Sequence, residues 1–549
     1  MRSKLGSLAL ALMTMAVPPL AHAQWVPDGV ALCQSASTQI TAHIVSDGAG
    51  GAIVTWEDAR NGGFDIYAQR VDAAGTPQWA ADGVAVCTAA NVQGFPRIVS
   101  DDAGGAIVTW TDNRSGVTGV YAQRVNAAGV PLWTADGVFL GTPATDPTTT
   151  ADGAGGAIVT WQRLVASGNN DIYAQRVDAA GVPQWTAGGI AVCIAAGDQQ
   201  DPVLVSDGAG GTIVTWYDRR DPARYEIYAQ RVDASGVPQW MADGVELCNQ
   251  WSLKPRIVSD GAGGAIVAWE DARGGPTWDV YARRVDASGV PQWMADGVAL
   301  CTAANNQVQV AIAPDGAGGA IVTWQDARSP LGGIYAQRVN ASGVPQWTAN
   351  GVGLCTGVGV ERPAIVSDGA GGAIVTWRDL RNPDSDIYAQ WTNSSGVSLW
   401  PANGIPLCTA TGSQASPQIA SGAGAAIVAW DDQRSGSSDV YAANLFAMAT
   451  GVGDLPAVGI PTLSVRPNPF AVSATVSFDL MRSSRVDVSV HDVAGRLVRR
   501  LTDDVRPVGP NAVDWDGLDS AGAPLPSGIY LIRLRADGWA RSAKALLTR

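Results

Sequence analysis

One short passage of sequence recurs along most of the chain. "SDGAGGAIVTWEDAR" (residues 46–60) returns as "SDGAGGAIVAWEDAR" (259–273) and "SDGAGGAIVTWRDLR" (367–381). Its tryptophan occurs eight times, at intervals of 51 to 55 residues, as Trp56, Trp110, Trp161, Trp216, Trp269, Trp324, Trp377 and Trp430. A second tryptophan, most often within "PQW", also occurs eight times, as Trp25, Trp79, Trp133, Trp185, Trp240, Trp293, Trp347 and Trp400. Repeats of this length are single supersecondary units that bury their apolar surfaces against their neighbours.

Each unit has the pattern of four short β-strands. In the second unit the strands are "PRIVSD", "AIVTWTD", "VYAQRVN" and "LWTADGVFL". β-Branched and aromatic residues fill these runs, and Gly, Pro, Asp and Asn fill the joints between them. Four antiparallel strands in a repeat of this length are typical of one blade of a β-propeller.

The ends of the repeat region indicate a closed ring. The region starts with a last strand, "QWVPDGVALC", and its eighth unit ends at "DVYAANLF" without one. The N-terminal strand can therefore complete the final blade and leave no open sheet edge. We predict an all-β chain with an eight-bladed β-propeller at residues 24–446, closed by its N-terminal strand. An open β-solenoid is less favoured because it has no use for a split unit.

The composition and the N-terminus predict an exported protein. Residues 1–23 have the charged start, apolar stretch and small-residue cleavage site of a signal peptide, so the mature chain is expected to begin at Gln24. No other run is long and apolar enough to predict a transmembrane span. A net charge of −14 without a basic run disfavours nucleic acid as a partner. We expect a monomer.

A repeated Asp-x-Arg sequence follows the first tryptophan in seven of the eight units, and the third unit reads "WQRLV" instead. The pairs are Asp58/Arg60, Asp112/Arg114, Asp218/Arg220, Asp271/Arg273, Asp326/Arg328, Asp379/Arg381 and Asp432/Arg434. One interpretation is a ring of charged groups for anionic or sugar ligands. Catalysis, however, needs an acid and a base in different environments. We therefore interpret the repeated pair as a structural clamp on each central hairpin, and we assign no catalytic residue.

Cysteines and candidate metal ligands repeat in the same way. One cysteine per unit stands eight residues after the second tryptophan, and only the third unit has a glycine, Gly141, in its place. Equivalent positions in separate units keep these thiols apart, which favours small buried hydrophobes over disulfides. The loop "SDGAGG", with Asp47 in its first copy, could hold Ca²⁺. It lacks the alternating oxygen ligands of a calcium loop, so a hairpin is favoured and no cofactor is expected.

The loops after the Asp-x-Arg pairs differ most between units. Tyr225 in "DPARY" and Trp278 in "GGPTW" could stack on a sugar or peptide ring, or could equally pack within their loops. The hairpin "VDASGVPQW" at 232–240 and 285–293 resembles a stretched Asp box, so the units resemble those of sialidase-like, Asp-box propellers. This resemblance implies the propeller fold and makes a sialidase-like glycoside hydrolase the alternative function.

A different composition follows a Gly/Pro/Ala-rich linker at residues 447–461. Residues 462–549 contain alternating strands of the kind that form a small immunoglobulin-like β-sandwich. The motifs "PNPF", "DVAGR", "WDG" and "SGIY", with Lys544 near the end, resemble the FlgD-like immunoglobulin domain and the C-terminal sorting domain of type IX secretion cargo. The resemblance implies export by an outer-membrane secretion machinery to the bacterial cell surface or beyond it.

The sequence as a whole predicts a secreted or surface-displayed, non-enzymatic binding or scaffold protein. Its variable loops are expected to bind an extracellular glycan or protein. A glycoside hydrolase and a purely structural surface protein are the other classes. Asymmetry separates them, because an enzyme should have one cleft with a few singular polar residues, whereas a binder or a structural ring should not.

Overall fold

The computed structural model describes residues 25–165, 168–422, 426–445, 463–480, 484–492, 496–506, 509–536 and 539–548. Within these residues 39 β-strands are present, which confirms the all-β prediction. Contacts divide the chain into two compact units, Met1–Met448 and Ala449–Arg549. The predicted signal peptide (1–23) and linker (447–461) lie outside the described residues. No described helix has the length and apolarity needed to span a membrane.

The first unit contains eight four-stranded antiparallel sheets. After β1 (Val30–Cys33), sheets 1 to 4 consist of β2 (Gln39–Ser46), β3 (Ala52–Asp58), β4 (Asp65–Val71), β5 (Val84–Cys87); β6 (Gln93–Ser100), β7 (Ala106–Asp112), β8 (Gly119–Val125), β9 (Val138–Gly141); β10 (Thr145–Ala151), β11 (Ala157–Leu164), β12 (Asn170–Val177), β13 (Ile190–Cys193); β14 (Gln199–Ser206), β15 (Thr212–Asp218), β16 (Glu226–Val232), β17 (Val245–Cys248). Sheets 5 to 8 consist of β18 (Ser252–Ser259), β19 (Ala265–Asp271), β20 (Asp279–Val285), β21 (Val298–Cys301); β22 (Gln307–Pro314), β23 (Ala320–Asp326), β24 (Gly333–Val339), β25 (Val352–Thr356); β26 (Val360–Ser367), β27 (Ala373–Asp379), β28 (Asp386–Thr392), β29 (Ile405–Cys408); β30 (Gln414–Ser421), β31 (Ala426–Asp432), β32 (Asp439–Asn444) and β1.

The second strand of each sheet forms its core. In β3 every residue from Ala52 to Asp58 is buried, so the apolar run "AIVTW" is continuous rather than alternating, as expected for a strand covered on both faces. Trp56 and its seven equivalents are all fully buried. The hairpin that enters β3 is held by the Asp47 side chain, whose Oδ1 accepts hydrogen bonds from the amides of Ala49 and Gly51, both at 2.8 Å.

The sheets follow one another in a cycle. The first strand of each sheet contacts the first strands of the sheets before and after it, and β30 in turn contacts β2. The strand earliest in the sequence belongs to the last sheet, where β1 pairs with β32 through Val30 opposite Ala442. The Trp25 indole N–H donates to the Ala73 carbonyl at 3.1 Å, as Trp79 does to Ala127 at 3.0 Å. The N-terminal segment thus makes the contacts that the other last strands make.

The second unit contains two antiparallel sheets. Its strands are β33 (Leu463–Arg466), β34 (Ala474–Leu480), β35 (Ser484–His491), β36 (Leu497–Arg506), β37 (Gly509–Trp515), β38 (Gly528–Ala536) and β39 (Trp539–Leu547). The sheet orders are β33-β34-β37 and β36-β35-β38-β39. Trp515 is fully buried, and its ring lies edge-on to Phe470 at 5.2 Å and Tyr530 at 5.3 Å between ring centroids.

The position of β1 generates a stability prediction. Trp25→Ala should lower the free energy of unfolding by about 3–5 kcal/mol, the usual cost of truncating a buried tryptophan. Trp25 is 3% exposed. The matched control is Trp185→Ala, because Trp185 is 8% exposed and makes the equivalent bond to Ala234 at 3.1 Å. Chemical denaturation of the full chain measures both. An unchanged midpoint for Trp25→Ala beside a lowered one for Trp185→Ala would contradict the pairing of β1.

Candidate functional site

The Asp-x-Arg pairs form the same ion pair in all seven sheets that carry them. The distance from arginine Nη2 to aspartate Oδ2 is 2.5 to 2.7 Å. The aspartate side chains are fully buried and the arginine side chains are 21 to 25% exposed. The same Oδ2 also accepts a hydrogen bond from the indole N–H of the buried tryptophan two residues earlier, and the distance from Trp56 to Asp58 is 2.9 Å. Because the carboxylates are buried and shared in this way, they are not presented to a ligand.

Each of these arginines also contacts other strands. Arg60 lies over the Tyr67 ring on β4, with 3.9 Å from Cζ to the ring centroid, and its Nη2 donates to the Asp82 carbonyl before β5 at 2.7 Å. It also donates to the sulfur of Cys33, on the neighbouring sheet 8, at 3.1 Å. The pair therefore holds three strands of its own sheet and reaches the sheet before it, whereas the sequence had indicated a clamp on the central hairpin alone.

The third sheet shows that cysteine and ion pair belong together. Sheet 3 lacks Asp-x-Arg, and the sheet before it carries Gly141 in place of cysteine. A Cβ at Gly141 would lie 2.4 Å from the Trp161 ring, so the tryptophan occupies the space of the missing side chain. The Trp161 indole N–H is buried and has no hydrogen-bond partner among the described residues. The cysteine of sheet 2 and the Asp-x-Arg pair of sheet 3 are thus both absent where these two sheets meet.

Burial controls the ionisation of these groups. Burial opposes ionisation of Asp58, but hydrogen bonds from Arg60 and Trp56 outweigh it and hold the pKa of the Asp58 carboxyl below its usual value. Burial raises the pKa of the Cys33 and Cys87 thiols to about 12. All seven cysteines are buried and unpaired. Such thiols stay protonated at neutral pH and are poor nucleophiles and metal ligands.

A second repeated ion pair holds the "SDGAGG" loops. Its members, at 2.8 to 3.0 Å, are Asp47/Arg70, Asp101/Arg124, Asp152/Arg176, Asp207/Arg231, Asp260/Arg284 and Asp315/Arg338. In sheet 7 the Trp391 indole N–H takes the place of the arginine and donates to Asp368 at 3.0 Å. Since Oδ1 of Asp47 accepts two backbone amides and Oδ2 accepts Arg70, these oxygens serve the hairpin. Across the described ranges no cluster of three or more His, Cys, Asp or Glu side chains could hold a metal ion.

The two aromatic residues predicted from the loops are partly buried. Tyr225 lies edge-on to Tyr217, with 5.2 Å between ring centroids, and Arg219 lies over its ring at 5.3 Å. Trp278 is bonded through its backbone, and its carbonyl accepts the Gln307 amide at 2.6 Å. Tyr225 therefore packs within its loop in the way the sequence left open. Stacking of either ring on a ligand stays a prediction.

A polar cavity of about 840 Å³ lies between the first strands of the sheets, and we call it the channel. Each first strand has a register shift opposite the second strand, as between Ile40 and His43 of β2. The shift places one residue of each strand in the left-handed region, with φ of 50° to 61°. These eight residues, which we call the channel mouth, are Thr41, Phe95, Asp146, Asp201, Lys254, Gln309, Arg362 and Ser416.

The residue types at the channel mouth do not follow from the backbone. Left-handed φ favours Gly, Asn and Asp. A second left-handed position, in the loop before each last strand, obeys that preference, with Asp28, Asp82, Asp136, Gly188, Asp243, Asp296, Asn350 and Asn403. At the channel mouth only Asp146 and Asp201 obey it, and the other six residues are a β-branched residue, an aromatic residue, two long cations and two residues with an amide or hydroxyl group. Each such residue costs on the order of 1–3 kcal/mol, which marks the side chains as the selected feature.

Acidic groups gather at sheets 3 to 5 of the channel mouth. Asp146 and Asp201 occupy neighbouring sheets, and burial together with the charge of Asp146 raises the pKa of Asp201. The Gln162 side-chain amide donates to Asp146. Glu270 lies 3.6 Å from the Lys254 ammonium and accepts the Gln309 amide at 2.7 Å, and burial raises its pKa. Lysine occurs only at residues 4, 254 and 544, so the repeat region has one lysine and the channel mouth holds it.

Basic groups lie two residues further along the first strands. His43, Arg97 and Arg256 line the channel wall. Arg97 Nη1 lies 2.9 Å from His43 Nε2 and donates to it. Surrounding protein and the Arg97 charge hold the pKa of His43 well below its usual value, so the ring is neutral and accepts this hydrogen bond. The channel therefore holds acidic and basic groups side by side, as Lys254, Arg256 and Glu270 of sheet 5 show, and no repeat of the frame would produce this set.

Two exposed aromatic residues lie at the same end of the sheets. Phe95 at the channel mouth is 55% exposed, and Trp251, immediately before β18, is 49% exposed. Sequence reasoning missed both, as it missed the channel mouth as a whole. The available signal was the variation between "QITAH", "QGFPR", "SLKPR" and their equivalents just before each conserved passage.

Comparisons with known proteins match parts of the chain. Residues 469–538 match the FlgD Ig-like domain family. No curated protein matches the chain. Among solved structures, an ulvan lyase bound to a saccharide is 11% identical at a TM-score of 0.42, and the match covers 68% of this chain and 96% of that one. PorZ, a surface component of the type IX secretion system of Porphyromonas gingivalis, is 11% identical at a TM-score of 0.26, with coverage of 93% and 75%. An endo-arabinase from Bacteroides thetaiotaomicron is 16% identical at a TM-score of 0.27, with coverage of 50% and 99%.

The buried ion pair generates a prediction for Asp218→Asn. The substitution leaves Arg220 without its carboxylate, and breaking a buried pair costs about 3–5 kcal/mol. The free energy of unfolding should fall by that amount. Asp221→Asn in the same sheet is the control, because the Asp221 side chain is 34% exposed in a surface pair with Arg224 and should change stability by less than about 1 kcal/mol. Equal effects in chemical denaturation would contradict the clamp.

The seam between sheets 8 and 1 generates a pH prediction. Asp431 accepts the Ala42 amide at 3.4 Å, and burial raises the pKa of Asp431 to about 6. The folded protein then holds a proton that the unfolded chain releases near pH 4. This stability is complete below pH 4 and is lost as the pH rises through about 6, at about 1.4 kcal/mol per pH unit. Asp431→Asn should remove this slope in unfolding measured from pH 4 to 7. A stability difference between the two proteins that does not change with pH would contradict the raised pKa.

Proposed function

We propose that this chain is an exported glycan-binding protein and that it binds its ligand at the channel mouth. The variable loops with Tyr225 and Trp278 begin at the same end of the sheets, because each follows a second strand there. They extend the proposed site outward from the channel. The protein binds an extracellular glycan through these groups and does no chemistry on it.

The observation that carries this proposal is the mixture of residues in one strained backbone position. Eight equivalent sites of a repeated frame hold seven kinds of side chain, at a conformational cost. A purely structural surface protein would not need this variety of side chains, because the repeated ion pairs and tryptophans already stabilise the fold. Saccharide sites combine aromatic surfaces with several convergent polar groups. Phe95 and Trp251 supply the first, and Asp146, Lys254 and Gln309 supply the second.

The proposal includes the fold and the route of export. Residues 24–446 form an eight-bladed β-propeller of the sialidase-like, Asp-box kind, closed by β1. The cycle of contacts between first strands and the pairing of β1 with β32 support this reading. Residues 1–23 act as the signal peptide. The FlgD Ig-like match within residues 462–549 supports a type IX sorting domain that takes the protein to the bacterial surface.

A sialidase-like glycoside hydrolase is the second candidate, and one observation favours it. Asp146 and Asp201 stand on neighbouring sheets at the channel mouth in unlike environments, one bonded to Gln162 and the other with a raised pKa. Glycosidases use two carboxylates whose environments separate their roles as acid and base. The asymmetry of the channel is the feature expected of an enzyme on sequence grounds. We assign it to binding instead, because a site shaped for one ligand is as singular as a catalytic cleft.

Binding of the full chain to a broad glycan array tests the proposal. Saturable binding to one glycan family is expected. Phe95→Ala and Trp251→Ala should each weaken it tenfold or more, because each removes one stacking surface worth about 1.4 kcal/mol. Val237→Ala is the control, since Val237 is 52% exposed in the hairpin that follows β16 at the opposite end of its sheet. Absence of glycan binding, or full binding by both aromatic variants, would contradict the proposal.

The same assay separates the hydrolase. The glycan that binds is incubated with the wild type and with Asp201→Asn, and reducing ends are measured. Release by the wild type that is lost in Asp201→Asn, with binding retained, would establish the second candidate and overturn the non-enzymatic role. No release by either protein is the result that the proposed function predicts.

A further inference from the structure

The arginines that repeat from sheet to sheet in residues 25–445 all form an ion pair with an aspartate. Seven arginines pair with the aspartate two residues before them, and six pair with the aspartate of the "SDGAGG" loop. Six described arginines of the repeat region have no carboxylate within ion-pair distance: Arg97, Arg163, Arg219, Arg256, Arg283 and Arg362. Arg163 and Arg219 lie over the rings of Tyr173 and Tyr225, and Arg283 donates to the carbonyls of Leu247 and Gln292. Arg97, Arg256 and Arg362 line the channel. In a chain with a net charge of −14, acidic partners are not scarce. Arg97, Arg256 and Arg362 are distinguished by combining the lack of a paired carboxylate with a position on the channel wall.

Arg97 and Arg256 keep free donors that face the channel. Arg97 Nη1 donates to His43 Nε2 and to the Pro96 carbonyl at 3.0 Å. Arg256 Nη1 donates to the Pro255 carbonyl at 2.9 Å. Each guanidinium carries five N–H groups, so most of them remain available to a ligand. By solvent exposure Arg97 is partly accessible and Arg256 is exposed. Because both side chains line the cavity, a ligand inside it can reach them.

The two arginines act on each other and on carboxylates nearby. Surrounding protein lowers the pKa of Arg97, and the charge of Arg256 lowers it further, so the two cations repel each other across the channel. Asp146 and Glu57 attract Arg97, and Asp201 and Glu270 attract Arg256, but none of these carboxylates lies within ion-pair distance of its arginine. Asp146 and Glu270 also accept hydrogen bonds from Gln162 and Gln309. An anionic group between the guanidinium groups would relieve the repulsion and fill their open donors.

We propose that Arg97 and Arg256 form an anion subsite in the channel that binds a carboxylate or sulfate group carried by the ligand. The inference rests on the proposed function and deepens it, since it makes the glycan an acidic one. Aromatic contacts at Phe95 and Trp251 would hold sugar rings at the mouth while the charged substituent enters the channel. The rest of this acidic protein repels such a ligand, so its binding is confined to the channel and weakens with salt.

Matched polysaccharides test the subsite on the full chain. Polygalacturonate is compared with its methyl ester, and a sulfated polysaccharide with its desulfated form, so that the two sources of negative charge are distinguished. The wild type should prefer one acidic form at least tenfold. Arg97→Gln and Arg256→Gln should abolish that preference, and Arg97→Lys should retain part of it because the charge remains. Arg283→Gln is the control, since Arg283 is not among the residues that line the channel and glutamine occupies the equivalent position in other sheets, as Gln230 does in sheet 4.

A second measurement does not depend on the glycan. Inorganic sulfate is titrated against chloride at equal ionic strength, and the midpoint of thermal unfolding is followed for the wild type and both glutamine variants. Sulfate stabilises proteins in general, so the expected result is an extra stabilisation of the wild type that both variants lack. Variants that fold normally and gain as much from sulfate as the wild type would overturn the subsite.

The outcomes keep the two proposals apart. Equal binding of acidic and neutral forms would leave the glycan-binding function standing and overturn the anion subsite. Absence of binding on the glycan array, together with the additional stabilisation of the wild type by sulfate, would support the subsite and overturn the glycan-binding function. Failure of both measurements would overturn both proposals.

Discussion

A buried aspartate carboxylate, shared between an indole N–H and a guanidinium, is the interaction on which the repeat region depends. Asp58 and its six equivalents are fully buried, and a buried charge is tolerated only when it is paired and hydrogen-bonded. Through its arginine the carboxylate holds the second, third and fourth strands of one sheet and the cysteine of the sheet before. Sheet 3 shows the reverse case. There the aspartate and the arginine are absent, the sheet before has Gly141 in place of the cysteine, and the Trp161 indole N–H is buried without a partner among the described residues.

Because this network lies in the second to fourth strands, the first strands are free to carry other chemistry. Each first strand bends at one register shift, and the paired hairpin behind it holds the left-handed residue in place. Structure that is over-determined elsewhere can retain local strain of this kind. The frame is therefore nearly the same in every sheet, while the channel mouth differs at almost every position. A site of low symmetry is built on a scaffold of high symmetry.

The electrostatics of the channel follow from the same difference between the repeated residues and the residues of the first strands. The repeated arginines are paired with repeated aspartates, so they contribute little to the electrostatic field in the channel. The singular residues Arg97, Arg256 and Lys254 and the carboxylates of Asp146, Asp201 and Glu270 are what a ligand in the channel would meet. Several of these groups have shifted pKa values because protein surrounds them on the channel wall. Groups of both signs in one cavity suit a ligand with charged and neutral polar parts.

The sequence by itself determined the all-β class, the spacing of the units and the strands within them, because β-propensity, turn residues and repeat length are local properties. It also placed Asp-x-Arg beside seven of the eight buried tryptophans of the first series. It did not reveal that Cys33 contacts Arg60 of the next sheet, because that contact joins separate repeats. Tyr225 and Trp278 were predicted from loop variation, while Phe95, Arg97 and Arg256 were not singled out. Only the tertiary structure decided that residues about fifty positions apart meet around one channel. The physical reason is that the packing of successive sheets, which no local pattern encodes, brings their first strands together.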